Sequence, residues 1–135
     1  MKRIFVIAAV VILAGVCFGQ PTHQVEVVAE VAITNQTGET TGTLYTPAQT
    51  GMFRVSFMVQ CTTGSPAVEP RLFWKDDHGI EFTSTDVSCG NPHLSSAFIV
   101  IIKAIAGQPI TWVVFGQAQV YDVYLTLEQI GPKVQ

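Results

Sequence analysis

Basic residues are scarce in this sequence. Seven Lys and Arg stand against ten Asp and Glu, which gives a formal net charge of −3. Two of the seven, Lys2 and Arg3, lie at the very start, so the remainder of the chain is more acidic still. A nucleic-acid partner would require a basic patch. The sequence therefore predicts no nucleic-acid partner.

Motifs of known enzyme chemistry are absent as well. No serine lies in a G-x-S-x-G context, and no glycine-rich loop of the phosphate-binding type occurs. The three histidines, His23, His78 and His93, are far apart in sequence and lie beside turn or terminal residues. We therefore predict no catalytic residue, no cofactor and no enzymatic activity, and a small hydrolase is the least supported reading.

A long apolar run occurs only once, from Ile4 to Val16, after Lys2 and Arg3 and before the small residue Gly19. This arrangement predicts a secretory signal peptide over residues 1–19, and the run is too short for the ~20 residues of a membrane-spanning helix. Two alternatives stay open: a lipoprotein signal acylated at Cys17, and an uncleaved anchor. Val16 disfavours the first, since a small residue is wanted before an acylated cysteine.

Cleavage there leaves a single domain, residues 20–135, with a formal net charge of −5 and no membrane span. We expect it to be secreted, periplasmic or on the cell surface, and the short signal resembles that of a bacterial product. Only Cys61 and Cys89 remain. Two cysteines in an exported domain most simply form one disulfide, with two free thiols as the alternative.

Apolar residues alternate with polar ones along most of the domain, which is typical of strands with one wet face. Val25, Val27, Ala29, Val31 and Ile33 are predicted to share one face. Phe53, Val55, Phe57, Val59 and Cys61 are predicted to share another.

Turn signals separate about eight such segments, and no helix is predicted after residue 19. The other strands are expected at Thr43–Thr46, Arg71–Lys75, Ile80–Thr83, Ala97–Ile105, Ile110–Phe115 and Val120–Ile130, and Asn35–Gly42 is expected to be a loop. The sequence predicts an all-β, antiparallel β-sandwich.

Two segments, Phe98–Ile102 and Ile110–Phe115, are apolar on both faces. A strand of an isolated two-layer sandwich should instead be polar on its outer face. Their outer residues need a covering loop or a second subunit, and exposed apolar patches usually mark contact sites. We therefore predict a homo-oligomer. Its candidate interface residues are Phe98, Ile99, Val100, Ile101, Ile102, Trp112, Val113, Val114 and Phe115.

Two further candidate sites are weaker. Trp74 and Tyr124 are candidates for outward rings that stack on a sugar, although core and subunit contacts are the more usual roles of such rings. Asp76, Asp77 and His78 form the one concentration of metal-ligand residue types in the sequence. Their spacing does not match a calcium loop, and a plain hairpin turn is the preferred interpretation.

Three segments carry a resemblance to a known superfamily. Gly51–Phe57, Ser96–Ile110 and Tyr121–Glu128 resemble the strands of complement globular heads and tumour-necrosis-factor-like domains, although Asp77-His78-Gly79 replaces the usual Asn-Gly turn. The resemblance implies a jelly roll, trimers and no catalytic activity. The pattern is also similar to that of small exported bacterial β-sandwich proteins, and an immunoglobulin-like sandwich is the alternative fold.

Taken together, these patterns predict an exported, non-enzymatic binding or assembly module that self-associates. The alternative is a carbohydrate-binding module at the cell surface. Across the two hypotheses, the predicted partner is a second copy of the chain, a glycan or another protein.

Overall fold

The computed structural model describes residues 25–62, 67–85, 95–116 and 120–131. The predicted signal peptide, residues 1–19, and Cys89 lie outside the described residues. Eight strands form in the described part: β1 (Glu26–Thr37), β2 (Thr40–Tyr45), β3 (Gly51–Cys61), β4 (Glu69–Asp76), β5 (Gly79–Ser84), β6 (Ser95–Ala104), β7 (Ile110–Phe115) and β8 (Val120–Gln129).

The strands form two four-stranded sheets, in the orders β1-β8-β3-β6 (the first sheet) and β2-β7-β4-β5 (the second sheet). Every neighbouring pair is antiparallel. The prediction of an all-β sandwich of about eight strands is confirmed. Edge strands β1 and β6 bound the first sheet, and β2 and β5 bound the second.

Alternation along β3 places the core as predicted. Phe53, Val55, Phe57, Val59 and Cys61 are each no more than 1% exposed. They lie on a strand that pairs with β8 on one side and with β6 on the other. A strand in this position can bury every second side chain against the opposite sheet.

β1 departs from the predicted alternation. Val25 and Val27 are half exposed, whereas Val31 and Ile33 pack on the core. The pairing register with β8 shifts between Val27 and Ala29, and such a bulge reverses which side chains face inward. The prediction that all five residues share one face was therefore wrong for the first two.

The predicted loop Asn35–Gly42 was also wrong, because both flanking strands continue into it. β1 runs to Thr37 and β2 begins at Thr40. Gly38, with φ of 76°, makes the turn between them, a conformation that glycine adopts without steric cost.

A buried tyrosine joins this turn to the first sheet. Tyr121 on β8 is fully buried, and its hydroxyl donates to the carbonyl oxygen of Gly38 at 2.6 Å. The Thr40 hydroxyl lies 2.9 Å from the same oxygen. Burial raises the pKa of Tyr121 above its ordinary 10.0, because the phenolate would lose its hydration inside the sandwich.

We predict that Tyr121→Phe lowers the free energy of unfolding by about 1 kcal/mol at neutral pH, through the lost hydrogen bond to Gly38. The raised native pKa makes the wild type lose stability as pH rises through 10, where the unfolded tyrosine ionises first. Urea titrations at pH 8 and pH 11 should therefore show a smaller alkaline loss in the variant. Equal losses in the two proteins would contradict this role of Tyr121.

Candidate functional site

The most exposed apolar residues of the first sheet lie on its edge strand β6. Ile99 and Ile101 are 68% and 59% exposed, while the alternate residues Phe98 and Val100 pack on the core. Ile102 is buried. The nine predicted interface residues therefore do not share one face, and of the five that lie on β6 only Ile99 and Ile101 face solvent.

The neighbouring strand β3 extends this apolar surface. Ile101 lies opposite Arg54 and Ile99 lies opposite Ser56, so the middle of the β3 row is polar. Met52, 42% exposed, and Met58 lie at the two ends of that row. We call the exposed surface formed by Ile99, Ile101, Met52, Met58 and Tyr124 the β6 face.

Tyr124 completes the β6 face from β8. It lies opposite Met58 in the register and is half-buried. Its ring is therefore directed to the outside of the first sheet. Its role in ligand stacking stays a prediction.

An ion pair crosses the middle of the β6 face. The guanidinium Nε of Arg54 donates to the carboxylate of Glu128 on β8. This hydrogen bond lowers the pKa of Glu128 and raises that of Arg54. Because the two charges compensate each other, the centre of the face carries a polar pair without net charge.

The outer side of β7 is covered by the chain itself. Ile110, Trp112 and Val114 face the core, and the outward Val113 is only 7% exposed between β2 and β4. The outer surface of Val113 is thus already buried within the single chain, and of the four predicted interface residues on this strand only Phe115, 37% exposed, keeps outer surface.

An arginine on β4 provides part of that cover. The guanidinium carbon of Arg71 lies 4.7 Å from the centre of the Phe115 ring. The same guanidinium donates to the Glu69 carboxylate at 2.7 Å and 2.9 Å. The Arg71 side chain thus shields part of the Phe115 ring from water.

The two consecutive aromatic residues of β4 face opposite ways, and the sequence-based choice between them was wrong. Trp74 packs against the core. Phe73 faces outward and lies against Phe82 of β5, with ring centroids 6.0 Å apart and an interplanar angle of 30°. Leu72, fully buried, provides the sequence signal that was missed, since period-two alternation from a core leucine directs Phe73 to the outside.

The acidic cluster Asp76, Asp77 and His78 forms the turn between β4 and β5. An Asp76 carboxylate oxygen accepts from the backbone N–H of His78 at 2.7 Å, and this hydrogen bond lowers the pKa of Asp76. Asp77 pairs with Lys103 of β6. Across the ranges the structure describes, no group of three or more His, Cys, Asp or Glu is placed to hold a metal ion.

Only one of the two cysteines predicted to form a disulfide lies among the described residues. Cys61 is fully buried at the end of β3, whereas Cys89 lies outside the described residues, so the Cys61–Cys89 bond stays a prediction. No helix among the described residues is long and apolar enough to cross a membrane.

Comparisons with known proteins place the fold but not the activity. No family model and no curated protein matches the chain. The structure of Eiger TNF from S. frugiperda is similar at a TM-score of 0.52 and 10% identity, covering 84% of this chain and 92% of that one.

Two further solved structures are similar at lower scores. A protein of the disulfide-linked pili of Bacillus endospore appendages has a TM-score of 0.43 at 17% identity, covering 79% of this chain and 89% of its own. The structure of TmCBM61 in complex with β-1,4-galactotriose has a TM-score of 0.44 at 23% identity, covering 73% of this chain and 68% of that one. At these identities only the fold is shared, and the chain is a β-sandwich that resembles a jelly roll.

Proposed function

We propose that this chain is an exported, non-enzymatic assembly module that self-associates through the β6 face. The observation that carries the proposal is the pair Ile99 and Ile101, 68% and 59% exposed on one edge strand. Contiguous exposed apolar residues on a small domain usually mark a contact site. Burying each isoleucine in a subunit contact would contribute about 1.5–3 kcal/mol.

The position of these residues at an edge adds a second argument. An edge strand presents unpaired N–H and C=O groups, and proteins that stay monomeric commonly protect such edges with charged residues. Along β6 the single charged residue is Lys103, which already pairs with Asp77. The middle of β6 therefore has no charge that would oppose a second copy.

A rotational assembly fits this surface best. The apolar edge at Ile99 and Ile101 differs from the region around Met58 and Tyr124, so one copy can present the edge to the flat part of its neighbour. Such a head-to-tail contact gives a ring when the rotation between copies closes, and a filament when it does not. The TNF-like resemblance favours a ring of three, and export would place it outside the cell or at its surface.

The carbohydrate-binding alternative is weakened at the residues first predicted for it. Trp74 packs on the core and also lines a groove of the second sheet, whereas Tyr124 lies within the β6 face. A glycan stacked on Tyr124 would compete with self-association, so the two roles can be separated by oligomer size in the presence of the glycan.

We expect the secreted wild type to sediment as an oligomer and Ile99→Ser/Ile101→Ser to sediment as a monomer. From the two lost apolar contacts, the association constant should fall by about 100-fold or more. Ile80→Ser is the matched control, because Ile80 is 78% exposed on the second sheet. It should leave the oligomer unchanged.

A monomeric wild type at high micromolar concentration would overturn the proposal. Dissociation caused equally by Ile80→Ser would also overturn it, because the contact would then lie elsewhere. The mass of the secreted form, with and without reductant, tests the signal cleavage and the Cys61–Cys89 bond in the same preparation.

A further inference from the structure

A groove of ≈ 260 Å³ lies on the outside of the second sheet, away from the β6 face. Phe73 and Thr111 are opposite each other on β4 and β7. Lys75 and Ile80 are opposite each other on β4 and β5. The full lining is Phe73, Trp74, Lys75, Ile80, Gln108, Pro109 and Thr111.

The segment that closes one end of this groove is held by backbone hydrogen bonds. It connects β6 to β7 and carries Gln108 and Pro109. The N–H of Ile105 donates to the carbonyl of Lys75 at 3.1 Å, and the N–H of Gly107 donates to the carbonyl of Pro47 at 2.7 Å. The groove is therefore built from fixed elements rather than from a free loop, as small-molecule sites usually are.

The floor of the groove is aromatic and continues past it along β5. Phe73 lies against Phe82, and Phe82 is 61% exposed. Ile80 is the most exposed of the large apolar residues described, at 78%. Beside the groove, Phe82 and Ile80 therefore offer solvent-exposed apolar surface.

One cation in this region has no ion-pair partner among the residues that the structure describes. The described residues contain four basic side chains, and three of them are paired: Arg54 with Glu128, Arg71 with Glu69 and Lys103 with Asp77. Lys75, the fourth, is exposed at the groove and forms no ion pair within the described ranges. An acidic domain thus places its one uncompensated described cation beside an aromatic floor, which is complementary to an anionic ligand.

We propose that this groove binds a carboxylate-bearing pyranose ring of an acidic glycan. The C–H face of the sugar would stack on Phe73 and Phe82, as flat apolar surfaces do on aromatic rings. The ammonium of Lys75 would pair with the ring carboxylate. The Gln108 amide and the Thr111 hydroxyl are the groups available for the sugar hydroxyls.

The test uses titration calorimetry on the mature protein with tri-galacturonic acid, sialyllactose and neutral galactotriose as probes. The first two probes distinguish a uronic acid from a sialic acid as the source of the carboxylate. At least one acidic probe should bind more tightly than the neutral one. Raising the salt concentration should weaken that binding, because the exposed Lys75 charge is screened.

Two substitutions at the groove test the assignment. Lys75→Gln should lower the affinity for the acidic probe by about 10- to 100-fold, as loss of a charge-assisted hydrogen bond does. It should leave the affinity for the neutral probe unchanged. Phe82→Ala should weaken both probes. Lys103→Gln is the matched charge control and should change neither, and unfolding curves of all variants confirm that each is folded.

Several results would overturn the proposal. These are no binding of either acidic sugar at millimolar concentration, equal affinity for acidic and neutral probes, and equal effects of Lys75→Gln and Lys103→Gln. Tighter binding of a short peptide with a C-terminal carboxylate would assign the groove to peptides instead. Ile99→Ser/Ile101→Ser should retain sugar binding, so the proposal survives or fails independently of self-association.

Discussion

Replacing Phe57 with alanine is expected to lower the free energy of unfolding by about 3–5 kcal/mol. Phe57 is 1% exposed on β3, which lies between β8 and β6 in the first sheet. Its ring centroid is 5.3 Å from that of Phe98 in the same sheet and 6.3 Å from that of Trp112 in the opposite sheet. The side chain therefore joins the two layers, and its removal leaves a cavity between them.

Urea denaturation measures this loss as a shift of the midpoint with an unchanged slope. Phe82→Ala is the matched control, since it removes the same atoms from a ring that is 61% exposed. Its cost should stay below about 1.5 kcal/mol, the most that the stacked contact with Phe73 provides beyond burial. Similar costs for the two variants would contradict the assignment of Phe57 to the core between the sheets.

The parts of the fold that could be predicted from sequence are those where one interaction dominates. β3 is central in its sheet, so burial alone decides which residues face inward, and the alternation from Phe53 to Cys61 identifies its core face. The turn between β4 and β5 is equally local. Asp76 and Gly79 supply a side-chain acceptor and a positive φ within four residues.

Errors arose where a distant partner decides the outcome. The bulge in β1 depends on how β1 pairs with β8, almost a hundred residues later. Arg71 lies opposite Val113 in the sheet and over the Phe115 ring, and it neighbours β7 only because of the strand order. Neither the pairing nor the strand order can be read from local alternation, so the burial of Val113 within the chain could not be predicted from the sequence.

The groove illustrates the same limit for a functional site. Its lining comes from β4, β5, β7 and the segment before β7, which the strand order brings together. In the sequence, Lys75 and Gln108 are simply two polar residues in separate segments. The unpaired state of Lys75 within the described residues emerges only once the partners of the other three cations are known.

A methyl group on Gly116 is expected to lower the free energy of unfolding by about 1–3 kcal/mol, although Gly→Ala at a tolerant site usually stabilises by about 0.4–1 kcal/mol. A Cβ at this position would lie 2.8 Å from Cε1 of Tyr121 and 2.9 Å from the carbonyl oxygen of Gly38. These are the two residues whose hydrogen bond joins the β1–β2 turn to β8. Because the methyl would press on both, it should separate them.

Gly51→Ala adds the same methyl group but is not expected to lower the free energy of unfolding. There the nearest atoms to the added Cβ are Phe53 Cε2 at 3.5 Å and Gln129 Nε2 at 3.7 Å, which are ordinary contacts. The urea midpoints of the two variants should therefore move in opposite directions. At the least, their free energies of unfolding should differ by more than about 1 kcal/mol, which is the order of the cost of one overpacked methyl group.

A combined variant then assigns the cause. If Gly116→Ala acts by breaking the Tyr121–Gly38 hydrogen bond, its cost should be smaller in a Tyr121→Phe background, where that bond is already absent. Contacting residues of this kind show coupling of about 0.5–3 kcal/mol. Fully additive costs would leave crowding of the ring alone as the mechanism, because the Cε1 contact is the same for phenylalanine and tyrosine.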